Sequence, residues 1–203
     1  MALESVEDAL DRGDTAPAFE LQGTDGETYT LDSFVDREAL LVVFTCNHCP
    51  YAKARFPAMN AIAADYDEVA VVGINPNDEE QYPEDSYEKM QEYVESGEID
   101  YDAYLRDESQ AVAAAYGAVC TPDPFLFRNE GDSEASETPR DGGGETARVW
   151  SLAYHGRLDD APNPDEEPST FYIRDAIDAV LAGEEVDIEE QPSRGCSIKW
   201  KEN

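Results

Sequence analysis

The chain has 203 residues, 41 % of them hydrophobic, which suits one domain with a real core and excludes a disordered polymer. Against 47 Asp and Glu stand 14 Lys and Arg, a formal net charge of −33, so nucleic acid and anionic membranes are excluded as partners by repulsion. No run approaches the ~20 apolar residues of a membrane span, and Met1–Asp11 has acids where a signal peptide has an apolar core, so the expected location is cytoplasmic.

The acids run through the whole chain, and only Lys53, Lys89, Lys199 and Lys201 are lysines. An acid-rich, Lys-poor surface suits a salt-loaded cytoplasm, where at about 1 M salt the Debye length falls to roughly 3 Å and self-repulsion is screened. The expectation is a halophilic source.

In chain order, Ser5–Leu10 is expected to start a short helix, and Asp14–Pro17 is extended. Phe19–Gln22 and Thr28–Leu31 flank an Asp25-Gly26 turn, a hairpin signal, and Leu31–Phe34 opens a helical turn. Leu40–Phe44 is short, β-branched and apolar on both faces, as a strand covered on both sides is. After Pro50, apolar residues recur at Ala52, Phe56, Met59, Ile62 and Ala63, a helical spacing. Val69–Ile74 is a second buried strand, so the three segments form a parallel, right-handed βαβ unit.

The loop Asn75–Pro83 leaves that strand on the edge that carries Cys46. Asp85-Ser86 caps a helix through Ser96 with Tyr87, Met90 and Val94 on its apolar face, and Asp107–Tyr116 is a further helix stopped by Gly117. Pro122 and Pro124 postpone strand pairing to Phe125, and Val149–Tyr154 is the partner strand. Between them, residues 129–147 read as a polar, Gly-rich, flexible acidic insertion. His155 ends the last strand, where a solvent-exposed turn residue is the plain expectation. Ser169 caps a final helix through Ile173, Ala176, Ile177, Val180 and Leu181, and a tail, 184–203, follows. The domain expected is single, 1–203, with its core at about 14–183.

Chemistry concentrates in Cys46-Asn-His-Cys49 at the strand-to-helix junction. Free N–H groups at a helix start favour thiolate over thiol, and a thiol pKa of roughly 8.5 falls there by one unit or several. Cys46, at that start, is the expected exposed nucleophile, and Cys49, one turn on, the more buried resolving thiol. A structural zinc site needs four N/S ligands, and no second paired motif exists, so no metal or other cofactor is expected. His48, as an imidazolium, would stabilise the Cys46 thiolate; the plain alternative is an exposed His. Cys120 and Cys196 are each either a small buried hydrophobe or, together, a second thiol pair that latches the tail, with Ile198 and Trp200 docking on the body.

The order hairpin, βαβ, helix, antiparallel ββ, helix, with Cys46–Cys49 at the junction and Tyr116–Pro122 later, resembles the thioredoxin fold, a three-layer α/β architecture. The resemblance implies a cis Thr121–Pro122 bond beside the Cys pair, with Thr45, His48, Thr121 and Pro122 in support. The Asp14–Phe19 segment, the TCNHCPY core, Val119–Phe127 and Gly195–Trp200 resemble, more closely, the peroxiredoxin-like branch of the AhpC/TSA–redoxin group. The chain departs from both patterns. The peroxiredoxin Pro-x-x-x-Thr/Ser-x-x-Cys does not align with either cysteine, and the thioredoxin Trp and buried Asp are replaced by Thr45 and Leu40.

The function expected is thiol–disulfide exchange by Cys46/Cys49 in redox homeostasis, acting on protein or small disulfides and recharged by a thioredoxin or thiol pool. The alternatives are a thiol peroxidase consuming peroxides through Cys46, and Cu(I) carriage by the cysteines with His155 as the distant ligand.

Overall fold

The structure, a computed structural model, describes residues 2–4, 10–132, 148–189 and 191–202. The helix expected at 5–10 therefore falls almost wholly outside the described residues, as does most of the acidic insertion.

A short strand β1 (Ala2–Glu4) precedes the hairpin β2 (Glu20–Gly23) and β3 (Thr28–Thr30), turned at Gly26 with φ +87°. After a helical turn at Leu31–Phe34 come β4 (Ala39–Phe44), α1 (Pro50–Lys53), α2 (Phe56–Asp65) and β5 (Val69–Asn75). Then follow α3 (Tyr87–Glu95), β6 (Ala103–Arg106), α4 (Ala111–Tyr116), β7 (Cys120–Thr121) and β8 (Asp123–Asp132). The chain closes with β9 (Arg148–His155), α5 (Tyr172–Leu181) and β10 (Arg194–Ser197).

Seven strands form one sheet in the order β3-β2-β6-β5-β4-β8-β9. β4, β5 and β6 run parallel, and β8 and β9 add as antiparallel strands, the arrangement expected of a thioredoxin-like fold. Alternate residues of the central strands go to opposite faces, so a continuous apolar run fills two cores at once. Leu40, Val42 and Phe44 meet Tyr116, Phe125 and Trp150 on one side. Leu41 and Val43 meet Met59 and Ile62 of α2 and Ile173 and Ile177 of α5 on the other.

Several local expectations need correction. The helix after Pro50 is not continuous: it breaks at Ala54-Arg55, where the Arg55 side chain turns in to Asp159 at 2.7 Å and to the Ala161 carbonyl at 2.7 Å. β6 was absent from the sequence reading because four residues that include an Arg show no period, yet all four are buried. β8 begins at Asp123, before Pro124: only β4 flanks that end, since β9 pairs no further than His155 opposite Phe125, so proline's missing donor costs no ladder bond on the β9 side. Residues 129–132, assigned to the insertion, extend β8. Ser169 bonds to Asp160 and α5 starts after Phe171; on α3, Val94 stays 38 % exposed.

The tail does more than dock. β10 lies between β1 and β7 in a second, three-stranded sheet, with Ala2 opposite Cys196 on one side and Thr121 opposite Cys196 on the other. Ile198 is buried in the core, whereas Trp200 remains 43 % exposed, contrary to the expected docking of both.

Candidate active site

Because β4 and β5 are parallel, the loops after both open on the same edge. The loop Thr45–Cys49 faces the loop that follows β5, and β7 closes the third side. The Thr121–Pro122 bond is cis, as the resemblance implied. Cys46 Sγ lies 3.2 Å from the Thr121 hydroxyl, and Cys49 Sγ lies 3.4 Å from the Thr121 carbonyl.

Cys46 lacks the expected exposure, whereas Cys49 is buried as expected. Cys46 and Cys49 are both buried, packed with Ala52, Phe56, Met90, Ile99 and Tyr104. Cys196, partly buried, packs against the same cluster. The helix also starts later than expected, with Cys49 and not Cys46 at its N-cap and Cys46 in the loop before it. α1 is a single turn, so the aligned dipoles of a long helix are absent and local donors decide which sulfur ionises.

Those donors converge on Cys49. The neighbouring Cys196 and Cys46 thiols and, against the cost of burial, the nearby N–H groups of Ala52 and Cys196 lower its pKa below that of a free thiol. The hydrogen bond that Cys49 Sγ gives the Thr121 carbonyl requires the thiol form. Burial pushes Cys46 up, helped by its hydrogen bond to Cys49 and the nearby Asp85 charge, while the Thr121 hydroxyl pulls the other way. Cys196 is raised by the bond it gives Cys49 and then by burial. Hydrogen bonding from its neighbours thus lowers the Cys49 pKa, while burial raises that of Cys46.

Asp85 was not singled out for the site by sequence. Its buried carboxylate accepts the Asn47 N–H at 2.7 Å, the His48 N–H at 3.3 Å, the Asn77 side-chain amide at 2.8 Å and the His48 Nδ1 side. Burial alone would raise its pKa, but the bonds from His48 and Asn77 outweigh that and hold it below the ordinary carboxylate value. Tyr104 anchors Asn47 at 2.8 Å, and Asn77 accepts the Lys199 N–H at 2.8 Å, so one network ties the cysteine loop, the post-β5 loop and the tail. His48 bonds Asp85 and stacks on Tyr82 at 5.0 Å, and a ring nitrogen lies within 4.8 Å of Cys46 Sγ, near the sulfur it was expected to serve. The only sequence signal for Asp85 was its loop's position on the active edge, since one acid among 47 draws no notice.

Other candidates fall away from the sulfurs. The Thr45 hydroxyl is buried and has no hydrogen-bond partner among the described residues. The Cys120–Cys196 pair does not form: Cys196 is opposite Thr121 while Cys120 is opposite Ser197, and the one-residue offset sends the two side chains to opposite faces. Burial pushes the Cys120 thiol up. His155 is not a free turn residue but bonds Asp123 at 2.8 Å and stacks on Phe125 at 4.1 Å. The one compact set of potential metal ligands among the described residues is Cys46, His48 and Asp85, without His155, and the Asp85 oxygens are already taken by four donors.

The model of the AhpC/TSA family matches residues 12–135, more than half of the chain. The chain belongs to the AhpC/TSA family. Two solved structures align with this family member over nearly their whole length. An uncharacterized conserved protein of Geobacillus kaustophilus is 38 % identical, with TM-score 0.83, covering 100 % of this chain and 98 % of that one. A hypothetical protein of Sinorhizobium meliloti is 36 % identical, with TM-score 0.81, covering 98 % and 99 %. A Chlorobium tepidum protein described as a thiol:disulfide interchange protein shares the fold at 19 % identity and TM-score 0.57, over 85 % of this chain and 99 % of that one. No curated protein matches the chain.

Proposed function

We propose that this AhpC/TSA family member is a thiol–disulfide oxidoreductase whose Cys46/Cys49 pair reduces protein or small-molecule disulfides and is recharged by a dithiol such as a thioredoxin. The observation that carries the reading is the enclosure of Cys46 and Cys49 together beside Thr121, where the surroundings lower the Cys49 pKa. A sulfur ionised at neutral pH next to a protonated neighbour is the resting state that disulfide exchange requires. In one turnover the substrate disulfide gains two electrons and two protons, and Cys46 and Cys49 close to a disulfide.

Membership of the AhpC/TSA family supports a second reading, peroxide reduction. Against it weighs the absence of the Pro-x-x-x-Thr/Ser-x-x-Cys pattern around either cysteine. A redox titration with mass-spectrometric mapping tests the main reading, run beside insulin-disulfide reduction and peroxide consumption with a dithiol. The expected result is a reversible Cys46–Cys49 disulfide and faster disulfide than peroxide turnover. A Cys pair that never links, or peroxide turnover that exceeds disulfide reduction, overturns it.

A further inference from the structure

The proposed chemistry leaves a difficulty: both sulfurs of the pair are 0 % exposed, and a substrate disulfide must reach one of them. One side of their enclosure is the chain's own tail. β10 pairs with β7 along the edge that flanks the cysteines, and it approaches so closely that a Cβ on Gly195 would lie 1.9 Å from the Thr121 carbonyl oxygen. That register puts Cys196 across from Thr121, the residue that touches both Cys46 and Cys49. Cys196 packs into the same cluster and is the least enclosed of the three sulfurs.

We propose that Cys196 is a third catalytic thiol, through which the enclosed Cys46/Cys49 pair exchanges with substrate by way of a transient Cys49–Cys196 disulfide. The inference rests on the oxidoreductase reading and names how the substrate gains access. The Cys196 proton passes to Cys49, which packs in the same cluster, and the Cys196 thiolate attacks one sulfur of a substrate disulfide. A Cys196–substrate mixed disulfide forms, and the other substrate sulfur leaves as a thiolate that takes up the proton from Cys49. Cys49 then attacks Cys196 Sγ, forming Cys49–Cys196 and expelling the second substrate thiolate, which takes up the Cys46 proton. Cys46 attacks Cys49, closes Cys46–Cys49 and releases Cys196 as a thiolate. The substrate has gained two electrons and two protons, the pair has lost two electrons, and a dithiol reductant runs the exchange in reverse.

The test uses the full chain, reduced, with an aromatic disulfide as chromogenic probe. In Cys46→Ser the cycle stops at the second disulfide, so two aromatic thiolates per chain and a linked Cys49–Cys196 peptide by mass spectrometry are expected. In Cys196→Ser and Cys196→Ala the turnover should fall at least tenfold, and Cys120→Ala, whose sulfur faces away, should keep the wild-type rate. Turnover undiminished in both Cys196 variants, or unlinked adducts on Cys49 and Cys196 in Cys46→Ser, overturns the relay and leaves the oxidoreductase reading standing. A wild-type chain that reduces no disulfide overturns both.

Discussion

Asp85 shows how a site is tuned by a residue whose type carries no distinguishing mark. Thioredoxin-like sequences are expected to carry a buried acid six places before the first cysteine, where this chain has Leu40. Here a buried carboxylate comes instead from the loop before α3, and its negative charge opposes ionisation of Cys46. Asp85→Asn keeps the shape and removes the charge. The pH midpoint for Cys46 alkylation is expected to move down in that variant; an unchanged midpoint would show that the charge does not reach the sulfur. Stability carries a second signature. The native Asp85 pKa is depressed, so the unfolded chain binds more protons across the interval between the two values. Its contribution is complete above the ordinary Asp pKa of about 3.9 and is lost as pH falls through the lower native value. Urea denaturation from pH 5 downward should show a shallower loss in Asp85→Asn than in the wild type.

At the scale of elements, β10 is the part of the chain whose role depends most on contact. Gly195 does not need a left-handed backbone; it needs the absence of a Cβ, because the Thr121 carbonyl occupies that space. Ile198, buried two residues after Cys196, holds the strand down, and burying such a side chain contributes ~1.5–3 kcal/mol. Gly195→Ala is therefore expected to lift β10 from β7 at a cost of about 1–3 kcal/mol, as overpacking does. Cys46 and Cys49 should then alkylate faster with the far-ultraviolet spectrum unchanged. Equal alkylation rates in variant and wild type would mean that the tail is not what shields them. The break between α1 and α2 belongs to this scale too: Arg55 leaves the helix face to reach Asp159, and the stub that remains is four residues long.

For the whole molecule the net charge of −33 dominates. Like charges so numerous oppose a compact state until salt screens them, with a Debye length of about 10 Å at 0.1 M and about 3 Å at 1 M. The proposal of a salt-loaded source makes thermal stability rise with KCl over that interval, read by differential scanning calorimetry; a melting temperature that stays flat or falls counts against it. The buried ion pair of Arg55 with Asp159 is much less screened, so the rise should come from the surface. No helix among the described residues is long and apolar enough to cross a membrane.

The sequence by itself determined the layered architecture, because central strands apolar on both faces and helices apolar on one can be buried in few ways. It also determined the Cys46/Cys49 junction and the place of the cis Thr121–Pro122 bond. Local pattern carries that much, since the period of a strand or helix is written in adjacent residues. Tertiary structure alone decided that Asp85 serves the cysteine loop, and that Cys196 packs with the Cys46/Cys49 cluster instead of facing Cys120. The placement of Cys196 turns on the register of a four-residue strand against a two-residue one some seventy positions earlier. A shift of one residue there would turn Cys196 to the other face, and nothing in the neighbouring sequence specifies that register.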